Sequence, residues 1–128
     1  PIHTLINGMN VFSFAISRPP KSVEKFLTDY KINRDTDIDY FLIHQANKMI
    51  VDRIVKKLKL PQEKVPYNLE EFGNLGGASI PSLMVTQLRG KLISKETTLL
   101  MSSFGLGLTW GTMWIKTKGM VIPQLIVC

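Results

Sequence analysis

The chain has 128 residues, 45% hydrophobic and 20% charged, a globular composition with room for one domain and a real core. Sixteen Lys and Arg against ten Asp and Glu leave a formal charge of +6; the single cysteine excludes an internal disulfide, and with two histidines it offers no metal-ligand cluster. No stretch reaches the roughly 18 apolar residues of a membrane helix, and "PIHTLINGMN" lacks the basic flank and apolar centre of a signal peptide, so a cytoplasmic protein is expected.

The chain opens on Pro1 rather than methionine, from which processing or a piece of a longer protein is expected. Met9 to Ile16 (MNVFSFAI) is apolar with β-branched and aromatic content, and its pattern predicts a strand closed by "SRPPKS". Pro20 suits the first turn of a helix whose apolar stripe is Val23, Phe26, Leu27 and Tyr30. Ile38 to Ile43 is near-continuously apolar, as a short strand buried on both faces would be, and His44 stands at its carboxyl end. Ile50, Ile54, Val55 and Leu58 mark the next helix, which stops at "LKLPQEKVP"; a short strand is expected near Val65. A third helix runs from about Ser79, with Pro81 in its first turn, to Gly90. Thr97 to Phe104 and Leu108 to Ile115 then read as two strands joined by the glycine turn "GLG". This alternation predicts an α/β fold in which helices cover a mixed five-stranded sheet.

In such a sheet, functional groups gather beyond the carboxyl ends of strands, where following helix N-termini point N–H groups into a crevice. His44 occupies such a place, although a histidine there can also be purely structural. "EFGNLGGASIP" sets Asn74 among Gly73, Gly76 and Gly77, either as a turn capped by Ser79 or as a tightly aimed amide. It is neither a Walker loop nor a dinucleotide fingerprint. If these loops converge with "SSFGLGLTWG", neutral His44 and Asn74 supply two N–H donors to one oxygen, an oxyanion hole for an enolate or a tetrahedral intermediate of a thioester. A nucleophile is missing: Cys128 ends the chain without a base or a helix N-terminus to stabilise a thiolate, and Ser102 and Ser103 lack an elbow context. Five bases, Lys48, Arg53, Lys56, Lys57 and Lys59, lie on the helix after His44, either as a solvated face or as a docking patch for an acidic partner. No interleaved aromatics or finger spacing point to nucleic acid, and nothing points to a membrane.

"GMNVFSFAI", "DYFLIHQAN", "FGNLGGASIP" and "SSFGLGLTWG", in this order and spacing, resemble the C-terminal half of β-ketoacyl-acyl carrier protein synthase III, a condensing enzyme of the thiolase fold. The resemblance covers nearly the whole chain and implies that residues 1–128 form the C-terminal domain of such a protein, without the N-terminal half that bears the cysteine nucleophile. It implies His44 and Asn74 as the catalytic pair, a backbone oxyanion donor near Leu106, and an acyl-pocket rim at Phe104, Gly105 and Gly107. It also implies contacts to acyl carrier protein or coenzyme A by Gln45, Ala46, Asn47, Lys48, Met49 and Arg53. The implied reaction is decarboxylative Claisen condensation of malonyl-acyl carrier protein with an acyl-CoA primer in fatty acid synthesis, with no cofactor and no metal. The implied partners are acyl carrier protein, the N-terminal half and, when complete, a second subunit. The alternative is a non-catalytic subunit of the same fold that binds carrier protein or stabilises a partner. Two departures stand out: Met49 occupies a position where the family often has arginine, leaving Lys48 and Arg53 as the neighbouring bases, and "GLG" replaces what is often three consecutive glycines.

Overall fold

A computed structural model describes residues 7–126 of the chain. Its elements are α1 (Gly8–Ala15), α2 (Arg18–Asp29), β1 (Tyr40–Ile43), α3 (Lys48–Leu58), α4 (Leu69–Phe72), α5 (Ser79–Thr86), α6 (Arg89–Ser94), β2 (Thr97–Gly105) and β3 (Thr109–Thr117). The sheet has the order β1-β2-β3, parallel between β1 and β2 and antiparallel between β2 and β3. The expected α/β architecture with a mixed sheet is found, with three strands among the described residues rather than five.

Both missing strands have local causes. The apolar run Met9 to Ile16 is helical in α1, because Asn7 caps it: its side-chain oxygen accepts the Asn10 N–H at 3.1 Å. One side of this helix, with Val11, Phe12 and Ala15, turns inward. Near Val65 the chain makes a short 3₁₀ turn (Gln62–Lys64) and then runs extended without joining the sheet. Pro61 and Pro66 flank that stretch, and proline has no N–H to give to a ladder. The helix expected from Ser79 to Gly90 breaks into α5 and α6. The hydroxyls of Ser82 and Thr86 donate back to the carbonyls of Ser79 and Ser82 at 2.8 Å each, which bends and weakens a helix.

β1 is buried on both faces. Phe41 and Ile43 join Val23, Leu27, Ile54, Leu58, Leu100 and Phe104 under α1–α3, while Leu42 packs with Leu83, Leu88, Leu92 and Leu99 on the opposite face. The segment after β3 seals this second core: Ile122 is buried there, Met120 N–H donates to Leu92 O at 3.0 Å, and Arg89 Nε donates to Ile122 O at 3.0 Å. Of the two edge strands among the described residues, β3 exposes Trp110, Met113 and Trp114. Among the described residues no helix is long and apolar enough to cross a membrane, and no cluster of three or more His, Cys, Asp or Glu could hold a metal. Pro1 and Cys128 lie outside the described residues.

Candidate active site

His44 follows the last residue of β1, and its N–H donates to Ser102 O at 2.9 Å, so backbone pairing with β2 reaches the histidine itself. Its ring is buried and meets the edge or face of Phe104 at 5.0 Å between centroids with the planes at 86°. Burial penalises the imidazolium and pulls the His44 pKa below the ordinary histidine value. At neutral pH the ring is therefore uncharged, with one nitrogen carrying a proton to donate.

Asn74 lies between Gly73 and Gly76, whose φ values are +65° and +55°. Its Oδ1 accepts the Gly76 N–H at 3.0 Å. That bond fixes the amide and leaves Nδ2 as the donor available to a ligand. Gly76 adopts the left-handed conformation that this turn needs, which side-chain-bearing residues rarely take.

The three loops converge. His44, Asn74, Phe104, Gly105 and Leu106 line one cavity of about 620 Å³ that is bounded by Ser103 and Trp110, and the same five line a second of about 170 Å³ walled by Val11, Phe14, Ala46 and Leu108. Leu106 stands on the β2–β3 turn at the junction, 81% exposed, with its carbonyl accepting the Thr109 hydroxyl at 2.9 Å. Gly107 (φ +137°) follows, and a Cβ there would lie 2.6 Å from Thr109 Cγ2, so the turn admits only glycine at that point. Two neutral side-chain donors thus face one cleft beneath a backbone turn, the arrangement that stabilises oxygen-centred negative charge.

The residues expected to contact a carrier protein divide. Asn47, Lys48, Met49 and Arg53 are exposed on or beside α3, and Asn47 also caps that helix by accepting the Ile50 N–H at 2.9 Å. Lys48 pairs with Asp52 at 3.6 Å and lies 5.1 Å from the centre of the Tyr67 ring. Ala46 is partly buried against the core. Gln45 does not share that surface: it is fully buried, its N–H donates to Ser79 Oγ at 2.6 Å, and its Nε2 donates to Ile43 O at 2.9 Å. β1 is buried on both faces, and that burial continues through His44 and Gln45 before the chain reaches the surface at Asn47. Sequence reasoning missed Asn68 altogether and took Ser79 only for a cap; both are buried polar residues joined to Gln45.

The α/β fold of this chain, with its mixed three-stranded sheet, has counterparts among known proteins. Residues 31–117 match the family model described as 3-oxoacyl-[acyl-carrier-protein (ACP)] synthase III C terminal. The chain is 44% identical over 107 residues to beta-ketoacyl-[acyl-carrier-protein] synthase III of Microcystis aeruginosa, covering 83% of this chain and 32% of that protein. It is 42% identical over 106 residues to the synthase of the same name from Acaryochloris marina, covering 83% and 32%. The crystal structure of 3-oxoacyl-(acyl-carrier protein) synthase from Burkholderia xenovorans superposes with a TM-score of 0.88 at 34% identity, covering 94% of this chain and 34% of that one. The chain belongs to the 3-oxoacyl-[acyl-carrier-protein] synthase III C-terminal family, and its fold is thiolase-like. It spans about a third of the length of these relatives.

Proposed function

We propose that this chain is the C-terminal catalytic part of a 3-oxoacyl-[acyl carrier protein] synthase III. It condenses malonyl-acyl carrier protein with an acyl-CoA primer in fatty acid synthesis and requires no cofactor. The observation that carries the reading is the shared cleft: His44 and Asn74 both line it, with the Leu106 turn on the same wall. An N-terminal half supplies the cysteine nucleophile, which first takes the acyl group from coenzyme A as a thioester. The malonyl group then loses carbon dioxide: the bond from its α-carbon to the carboxylate breaks, and the electron pair forms an enolate. His44 and Asn74 donate N–H bonds to the enolate oxygen; the uncharged His44 ring can serve because it still carries one N–H to donate. The α-carbon attacks the acyl thioester carbonyl, and backbone N–H near Leu106 holds the resulting oxyanion. Collapse expels the cysteine thiolate and leaves a 3-oxoacyl group on the carrier.

The exposed apolar side chains of β3, Trp110, Met113 and Trp114, support packing against the N-terminal half. Lys48, Arg53, Lys56 and Lys57 on the outside of α3 support docking of an acidic carrier protein. Cytoplasmic location and a homodimer formed by the complete subunit complete the reading. The test is malonyl-thioester decarboxylation by the complete subunit. His44→Ala and Asn74→Ala should each lower it by about 10²- to 10³-fold, as loss of one oxyanion donor does; undiminished rates in both variants overturn the assignment, and a non-catalytic subunit of the same fold then becomes the better description.

A further inference from the structure

Gln45 directly follows His44, and Asn68 and Ser79 bracket Asn74 in the sequence, six residues before it and five after. All three are polar and sealed from solvent, at 0%, 4% and 1% exposure. Gln45 N–H donates to Ser79 Oγ at 2.6 Å, and Asn68 N–H approaches Gln45 Oε1 at 3.5 Å. Asn68 Nδ2 donates onward to Ser82 Oγ at 3.0 Å and Thr86 Oγ1 at 3.1 Å, and Ser82 Oγ donates to Ser79 O at 2.8 Å. Both ends of the loop that carries Asn74 are thus tied to the residue beside His44. Between those ties the loop turns through two glycines of positive φ, which by themselves impose little restraint.

Apolar side chains of similar size would hold α5 on the sheet at least as well, because a buried hydrogen bond adds only modest net stability. What it adds beyond apolar packing is direction, since its geometry tolerates little displacement. We infer that Gln45, Ser79 and Asn68 form a positioning network that sets His44 and Asn74 relative to one another, so that both donors reach a single enolate oxygen. None of the three touches the reacting atoms. The inference rests on the proposed condensing reaction.

The experiment uses the complete subunit and follows two half-reactions separately: acyl transfer onto the nucleophile, which uses neither His44 nor Asn74, and malonyl-thioester decarboxylation, which uses both. Ser79→Ala, which removes the acceptor of the Gln45 backbone N–H, and Gln45→Leu, which keeps that N–H but removes the Oε1 that Asn68 N–H approaches, should each lower kcat for decarboxylation about 10- to 100-fold, the order expected from a misplacement near 1 Å, with KM within about twofold. Acyl transfer should stay within about twofold, and the double variant should be little worse than either single one, as for residues acting as a unit. Should Ser79→Ala fail to fold, Thr86→Val removes an outer bond to Asn68 at a half-buried site and should still slow decarboxylation selectively, by about threefold. Decarboxylation that falls only in step with acyl transfer, or not at all, makes the network purely structural and overturns the inference. A wild-type subunit that decarboxylates nothing instead overturns the condensing reading on which it rests.

Discussion

Phe104 on β2 stands perpendicular to His44 at the end of β1, their ring centroids 5.0 Å apart, and together they close the inner wall of the cleft. The phenyl ring is part of the apolar core and excludes water from one side of the imidazole.

This contact sets a pH dependence. Because burial lowers the His44 pKa, the neutral donor persists as pH falls through the ordinary histidine value of 6.5, and activity should decline only on further acidification. Phe104→Ala, which admits water, should move that acid limb upward toward 6.5, readable in the pH profile of malonyl decarboxylation. Stability follows the same sign. Between the lowered native pKa and 6.5 the unfolded chain binds the proton and the native chain does not, so stability should fall as pH drops through that window and be flat above it with respect to this group. Urea unfolding at several pH values, in wild type and His44→Gln, measures that difference.

Gly76→Ala separates backbone conformation from steric fit. A Cβ at Gly76 meets nothing within 4 Å, so the cost arises from its φ of +55°, about 1–2 kcal/mol for a side-chain-bearing residue. If the loop relaxes, the Gly76 N–H leaves Asn74 Oδ1 and the amide loses its fixed direction. A lower Tm together with slower decarboxylation is expected; a lower Tm with unchanged kcat would show that the turn does not aim Asn74.

Leu106 places an isobutyl group on the junction of the two cavities, fixed by a turn that its own carbonyl braces through Thr109. Leu106→Gly should widen that junction. Competition between short and longer acyl-CoA primers should shift toward the longer by about 10-fold or more, since one methylene in a pocket is already worth 10- to 200-fold. An unchanged ratio would place the acyl group away from this side chain.

The outer face of α3 gives a test of docking. Arg53→Glu should raise KM for malonyl-acyl carrier protein, with the effect shrinking at higher salt, and leave malonyl-coenzyme A kinetics nearly unchanged. Met49 is 62% exposed, so Met49→Arg should lower the carrier KM without disturbing the core.

Most of the site was legible because its logic is local. His44 ends a strand whose apolarity on both faces marks it as buried, and glycines at 73, 76 and 107 mark turns that need positive φ. Each of these depends on residues within a turn or two of one another. The run Met9 to Ile16 was not legible in the same way. Eight mostly apolar residues satisfy either period, and Asn7, whose side chain selects the helix, looked like any loop asparagine. The third turn of α5 was likewise undone by hydroxyl groups that compete with its backbone.

By itself the sequence determined which residues could donate, where the chain must turn, and that an α/β arrangement with a basic helix would follow. Tertiary structure alone decided that Gln45 lies inside and that Ser79 and Asn68 meet it across 34 and 23 positions of chain. It also decided that three distant loops share one cleft. The reason is physical: propensity and capping act between neighbours, whereas burial and the hydrogen bonds it makes obligatory exist only once separate segments have displaced the water between them.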